Sequence, residues 1–377
     1  MKKILFCATV QSHILNFHLP YLQYFQSQGY EVHVACNGDG NIPYCDMFHA
    51  VPFERNPFQK ANIDAYRRMK MIMQVHSFSL IHCHTPMGAA ITRLAARKSR
   101  KSGTAVLYTA HGFHFFKGAP LKNWLMYFPI EWALSFFTDT LITINQEDYT
   151  RAKKCFHAKQ IVFVPGVGID KSRFFRQNDT KKRDEMRRLL GISPQDFMLV
   201  YVAELIARKN QLELIRAIQK TKQNAPNVRL LLVGTGEKAA EYQQAIRDMQ
   251  LENEAILMGW RSDIPEILSA ADGYIAVAKH EGLAINLIEA MASRLPIIAT
   301  NVRGQRDLIQ NGETGYLIAN DEKEMVKAIE TLMTQPAQND CLSKNAWQAS
   351  EKYALEAVMP LMKEMYEQAL RASEKRS

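Results

Sequence analysis

This 377-residue chain contains no Asp-x-Asp triplet, no Cys-x-x-Cys pair and no run of about 18 uncharged apolar residues. Each absence removes a class. Without Asp-x-Asp, the usual carboxylate clamp for a metal-bound nucleotide diphosphate is missing, so any diphosphate must be neutralised by cationic side chains and backbone amides. Six cysteines, at 7, 36, 45, 83, 155 and 341, stand far apart, and a chain of this size needs no disulfide staples, so reduced and mostly buried thiols are expected. Lacking a spanning run, and passing from Met1-Lys2-Lys3 straight into the strand-like Ile4 to Ala8, the chain reads as cytoplasmic.

What is present is a soluble, two-domain composition. Hydrophobic residues make up 47% and charged residues 23%. A single core stops growing near ~250 to 300 residues, so two domains are expected. The net charge of +9 is unevenly placed: residues 1–165 hold 18 Lys and Arg against 9 Asp and Glu, while 166–377 hold 29 of each. Basic clusters at Arg67, Arg68 and Lys70, and at Arg93, Arg97, Lys98, Arg100 and Lys101, suit an anionic membrane or a polyphosphate, or else are solvated helix faces. No nucleic-acid motif accompanies the charge, and no nucleic-acid partner is expected.

Short apolar runs alternate with helical patterns throughout. Strands are expected at 4–8, 31–36, 80–83, 105–109, 140–144 and 161–164, and again at 198–202, 229–233, 255–258, 274–277 and 297–300. Such alternation predicts an α/β fold of βαβ units with parallel sheets and helices on both faces. The turn-rich Pro165-Gly166-Val167-Gly168-Ile169-Asp170 divides the two series. Domains are therefore expected at 1–165 and 170–354. In open α/β sheets ligands bind beyond the carboxyl ends of the strands, which directs attention to the loops there.

Those loops hold the unusual residues. Ten of eleven histidines precede the boundary, among them His82 and His84 at one strand end and His111 and His114 after the next. A zinc reading of His82-Cys83-His84 needs further ligands that no spacing supplies, so no metal site is assigned. Gly112 after His111 allows close backbone approach to a ligand, against the alternative of a histidine satisfied at a strand end. Leu230 to Ala239 fits the strand, Gly-x-Gly-x-x-Ala and helix order of a dinucleotide fingerprint, but the next strand ends in Met258-Gly259-Trp260-Arg261 without the ribose-binding acid. Gly234 and Gly236 are better read as turn glycines. Arg208-Lys209 follows the first strand of the second half and can act as a metal would on a diphosphate. Glu281-Gly282 opens a helix expected from Leu283 to Ser293, whose first amides form an anion site. Glu289, inside that helix, needs hydrogen-bond donors, and vicinal ribose hydroxyls are suitable ones. The plain alternative is a pair of helix-surface acids.

Taken with Asp263, Ala271-Asp272, Glu289-Ala290-Met291-Ala292, Pro296 to Thr300, Gly304 and Asn311-Gly312-Glu313-Thr314-Gly315-Tyr316-Leu317, this pattern closely resembles the retaining glycosyltransferases of family four. The resemblance covers nearly the whole chain. Phe17-His18-Leu19-Pro20, His82 to Pro86, Thr109 to His114 and Lys117 to Pro120 look most like the EpsD-like branch that builds exopolysaccharide or capsule. The resemblance implies a GT-B fold: two Rossmann-like, doubly wound parallel-sheet domains facing a central cleft, with a terminal helix of about 355–377 crossing back to the first domain. It implies a UDP-sugar donor, no cofactor or required metal, and a lipid-diphosphate-linked saccharide acceptor. By motif match, Glu289 would bind the ribose, Arg208 and Lys209 the diphosphate, Glu281 the sugar hydroxyls, and the backbone of Leu283, Ala284, Ile285, Asn286 and Leu287 the phosphate or sugar. His111 matches the histidine that reaches the donor sugar and is, with Glu281, a catalytic candidate. His13, Asn16 and His84 are acceptor-side candidates. Glu204 stands where many members have an arginine, and the early Gly-Gly loop is replaced by Val10 to Asn16. The aromatic-rich Phe113 to Phe137, beside Lys117 and Lys122, suits a membrane interface or a helix core, and implies peripheral attachment to the inner leaflet. Rival readings are a UDP-sugar epimerase of the same fold and a non-catalytic nucleotide-sugar-binding protein.

Overall fold

Residues 1–174 and 180–375 are described in the computed structural model. The chain divides into two compact units, Met1–Gly168 with Glu356–Ser377, and Ile169–Leu355. Of the expected ranges, residues 175–179 and 376–377 lie outside the described residues.

The first unit runs β1 (Lys3–Val10), α1 (Gln11–Phe17), α2 (Leu19–Ser27), β2 (Glu31–Asn37), β3 (Met47–Ala50), α3 (Ala61–Val75), β4 (Phe78–His84), α4 (Pro86–Lys101), β5 (Ala105–Ala110), α5 (Leu121–Ser135), β6 (Thr140–Thr143), α6 (Gln146–Cys155) and β7 (Gln160–Phe163). Its strands form one parallel sheet in the order β3-β2-β1-β4-β5-β6-β7. Alternate residues of β1 serve opposite faces, as the two-residue period of a strand requires. Leu5 and Cys7 join the core beneath α3 and α4, while Ile4, Phe6 and Ala8 join the one beneath α2.

The second unit contains α7 (Thr180–Leu189), β8 (Phe197–Val202), α8 (Gln211–Asn224), β9 (Val228–Val233), α9 (Ala239–Asp248), β10 (Ala255–Gly259), α10 (Ile264–Ala270), β11 (Gly273–Ala276), α11 (Ile285–Ala292), β12 (Ile297–Thr300), β13 (Tyr316–Ile318), α12 (Glu322–Thr334) and α13 (Pro336–Ala349). Its parallel sheet has the order β10-β9-β8-β11-β12-β13. The last helix, α14 (Leu355–Glu374), packs Val358, Met362, Met365, Tyr366 and Ala369 into the first unit's core. It starts at Leu355 and runs through Pro360.

Both sheets are parallel and flanked by helices, as the alternation predicts. Two edge strands escape the periodicity: β3 has four residues, none of them buried, and β13 only three, too few for a period to register. Among the described residues no helix is long and apolar enough to cross a membrane. All six cysteines are free thiols.

One basic cluster is corrected. Arg93 is not a surface charge: it is 1% exposed, paired with Glu131 of α5 at 2.8 Å and stacked on Tyr108, 3.9 Å from the ring centroid. Arg100 is likewise held by Asp139 at 3.1 Å. Arg97, Lys98 and Lys101 remain exposed. The aromatic stretch splits too: Phe113 and Phe115 are core, whereas Leu121, Leu125, Ile130, Trp132 and Phe136 stand in solvent.

Candidate functional site

In each sheet the strand order reverses once, between β1 and β4 and between β8 and β11. At such a switch point the two adjacent loops leave toward opposite faces and open a crevice at the carboxyl ends. The residues singled out from the sequence gather at these two places.

In the first unit, β1 leads into α1, which carries His13 and Asn16, and β4 ends at His84. Thr85 follows at φ 62° and ψ 146°, a conformation a β-branched residue adopts only under strain. Thr9 holds it there: its N–H donates to Thr85 Oγ1 at 2.8 Å, and the two hydroxyls lie 2.7 Å apart. Gly88 allows this approach, because a Cβ would lie 2.9 Å from the Thr9 nitrogen. The loop after β5 brings in His111, whose Nε2 lies 3.2 Å from His13 Nε2 and 3.4 Å from His84 Nδ1. His18, in the turn between α1 and α2, stacks on His84 with ring centroids 3.7 Å apart. Desolvation holds His13 down to about 4, and holds His18, His84 and His111 well below the ordinary imidazole value, with mutual repulsion adding to the effect for the last three. All four rings are therefore neutral at pH 7. His82 is a different case, since Tyr366 Oη and Thr109 Oγ1 occupy its two nitrogens at 2.9 and 2.8 Å. His114 is exposed and lies against Tyr127.

Beside the cluster is a cavity of about 620 Å³, lined by Thr9, Ser12, His13, Asn16, Thr85, Tyr127 and Glu131 among others. Of the acceptor-side candidates, His13 and Asn16 line it, while His84 is buried behind. The four histidines His13, His18, His84 and His111 could also hold a metal ion. No spacing announced that grouping, because the rings come from four separate elements.

In the second unit, the short turn Ala207–Lys209 after β8 is fastened to the loop after β11. Lys279 N–H donates to Arg208 O at 2.9 Å, and Arg208 Nη1 donates to His280 O at 3.0 Å. Arg208 and Lys209 both pair with Glu281, the former at 2.8 Å. The two cations and the buried carboxylate form one cradle with a net charge of +1. Glu281 is thus already engaged by cations, rather than free for sugar hydroxyls alone. Arg303 is a further member that the sequence reading passed over: it is buried and its Nε donates to Glu281 O at 3.0 Å. Its signal was an Arg-Gly step in the loop after a strand. Gly304, at φ +80°, lets that loop meet the backbone of Gly282, whose oxygen a Cβ would approach to 2.7 Å.

The helix α11 begins at Ile285, two residues later than expected. Leu287 N–H is spent on Ala284 O at 3.0 Å and Asn286 Oδ1 at 3.1 Å, so it offers nothing to a ligand. Asn286 Nδ2 donates to Val202 O at 2.5 Å, which ties the helix start to the end of β8. The amides of Leu283, Ala284 and Ile285 lie at the open end of the helix. Glu289 is in the second turn and half-buried, and no side chain among the described residues hydrogen-bonds its carboxylate. Desolvation pushes that carboxyl up to about 7, against the pull of Arg173. The fingerprint-like glycines serve packing: a Cβ at Gly234 would lie 2.1 Å from Ala203 O, and one at Gly236 2.3 Å from Leu205 O. Glu204 is exposed beside them.

Two doubly wound parallel-sheet units, each with its polar residues at the switch point, define a GT-B protein. The Anabaena HepE structure solved in complex with UDP-glucose shares this fold, at a TM-score of 0.81 and 20% identity, covering 98% of this chain and all of that one. A family model described as "Glycosyl transferase 4-like" matches residues 3–145, and one described as "Glycosyl transferases group 1" matches 182–349. The "Putative glycosyltransferase EpsD" of Bacillus subtilis (strain 168) is 44% identical over 337 residues, spanning 89% of this chain and 88% of that protein. The chain belongs to this glycosyltransferase family. It is also 28% identical over 296 residues, 75% of each chain, to the Escherichia coli "UDP-Gal:alpha-D-GlcNAc-diphosphoundecaprenol alpha-1,3-galactosyltransferase".

Proposed function

We propose that this glycosyltransferase moves a sugar from UDP-sugar to a lipid-diphosphate-linked saccharide during exopolysaccharide or capsule assembly, with retention at the anomeric carbon. Glu289 carries the donor reading. A desolvated carboxylate with no hydrogen-bond partner among the described residues, on the helix that follows the Glu281 held by Arg208 and Lys209, calls for a ligand with two adjacent donors next to an anion. The ribose and diphosphate of a nucleotide sugar supply both. Arg208 and Lys209 neutralise the diphosphate, so no divalent ion is needed there.

Retention by front-face attack fits the same geometry. Glu281 is engaged by two cations, which makes it a poor nucleophile, and the departing phosphate can accept the acceptor's proton. His111, a neutral imidazole, serves as a hydrogen-bonding partner for the donor sugar rather than as an ionic group. The cavity beside it, with His13 and Asn16, serves the acceptor. The UDP-galactose and diphosphoundecaprenol named for the Escherichia coli relative support the choice of donor and acceptor class. Exposed apolar side chains on α5 support a reading of peripheral attachment at the inner face of the membrane.

The test is product analysis with a panel of UDP-sugars and a lipid-diphosphate saccharide, with magnesium and manganese withheld. An α-linked product from an α-linked donor, formed only when acceptor is present, is expected. An inverted product overturns retention, sugar interconversion without acceptor favours an epimerase, and UDP binding without any product favours a binding protein.

A further inference from the structure

We propose that His13, His18, His84 and His111 form a binding site for a divalent transition ion of the zinc class. One potential ligand atom from each ring lies within 4.8 Å of the others. Zinc binds imidazole nitrogen at ~2.0 to 2.1 Å, so the nitrogens of a tetrahedral site stand about 3.3 Å apart. The two measured edges, His13 Nε2 to His111 Nε2 at 3.2 Å and His111 Nε2 to His84 Nδ1 at 3.4 Å, match that spacing, and the other edges stay within 4.8 Å.

The second observation is a shortage of partners. His18 is 2% exposed, yet both of its nitrogens are buried without a hydrogen bond. A cluster that served only to pack would leave apolar edges inside, or pair these nitrogens as His82 pairs its own. An all-imidazole set selects among ions: it suits zinc, copper or nickel and disfavours magnesium and calcium, which take oxygen ligands. Entry is available from the cavity that His13 lines.

The histidine trio His33, His49 and His76 is the internal control. There His33 already spends Nε2 on Glu31 at 2.7 Å and Nδ1 on His49 at 2.8 Å, leaving no free nitrogen. If the transferase reading holds, an ion on His111 removes that ring from the sugar, and the loaded protein is the slower form. The binding claim does not depend on this.

Full-length protein, stripped with EDTA and desalted, is titrated with zinc against a chromogenic chelator, and with cobalt while the visible spectrum is recorded. One equivalent of zinc at sub-micromolar affinity and the intense d–d bands of tetrahedral cobalt are expected, with no response to magnesium. His18→Phe and His13→Phe should each weaken zinc by at least about tenfold. His49→Phe should keep the full equivalent, and thermal melting shows which variants are folded. No zinc uptake by the wild type overturns the proposal, as does a site lost with His49→Phe but kept with His13→Phe. None of these readings involves turnover, so a failed transferase assay and a failed metal site are separate results.

Discussion

Glu289 is a residue whose stability and function pull in opposite directions. Its carboxyl is raised from 4.5 to about 7, so the folded state prefers it protonated. The group costs nothing below pH 4.5, and its penalty grows between pH 4.5 and about 7 and is complete above that, because in this window the unfolded chain gives up the proton and the folded one keeps it. Glu289→Gln should therefore raise stability at pH 8 by on the order of 2 kcal/mol and change little at pH 4.5, as read by thermal or chemical denaturation. The same substitution should weaken UDP at least about tenfold by calorimetry, since an amide accepts the ribose hydroxyls less well than a carboxylate. Wild-type UDP affinity should also fall as pH drops below about 7, and that dependence should flatten in the variant. Equal affinity in the two proteins would remove Glu289 from the nucleotide site. Its sequence neighbourhood was legible, because Glu281 and Glu289 share one loop and helix. The ties of Glu281 to Arg208 and Lys209 were not, since those pairs span 73 and 72 positions.

At the scale of elements, α4 and α5 are joined through a buried ion pair. Arg93 and Glu131 lie at 2.8 Å, with Tyr108 Oη donating to the second carboxylate oxygen at 3.2 Å. Removing one partner strands the other charge in a low-dielectric core. Glu131→Ala is expected to cost about 3–5 kcal/mol in urea unfolding, and Arg93→Met added to it should recover a large part. The same helix presents Leu121 and Leu125 at 72% and 71% exposure. Vesicles containing anionic lipid should carry the protein upward on flotation at low salt, and Leu121→Asp with Leu125→Asp should abolish that. Binding that survives the double change would assign attachment to another surface. From sequence alone Phe113 to Phe137 could be read as a membrane interface or as a helix core. The distinction between Phe115 inside and Leu125 outside depends on which side the helix turns, and its weak amphipathic pattern does not say.

For the molecule as a whole, seven histidines shifted by burial fall in the first unit. His13, His18, His33, His49, His82, His84 and His111 all have pKa values lowered by desolvation, and all lie in the first unit. A base whose folded pKa is depressed contributes stability that is present above about 6.5 and is lost as pH falls toward the folded value. His13, lowered to about 4, withdraws on the order of 3 kcal/mol by pH 4, and the half-buried His49 a smaller, solvent-screened amount. The first unit should therefore unfold in acid before the second. Hydrogen exchange resolved by peptide between pH 6.5 and 4 should show protection lost first in residues 1–168; simultaneous loss in 180–355 would contradict this.

The linear chain determined the class of protein. Alternating strand and helix periods are local properties of the backbone, and they located the two parallel sheets and the loops at their carboxyl ends. The donor-site acids and the family pattern around them are likewise written within a few turns of each other. Only the tertiary structure decided which distant groups meet: four histidines from four elements, Arg93 on Glu131, Arg303 on the backbone of Glu281, and the short edge strands β3 and β13. Periodicity reports which face of an element is apolar. It does not report which other element that face will find, and contacts across 22 to 98 positions are set by how the sheets order their strands.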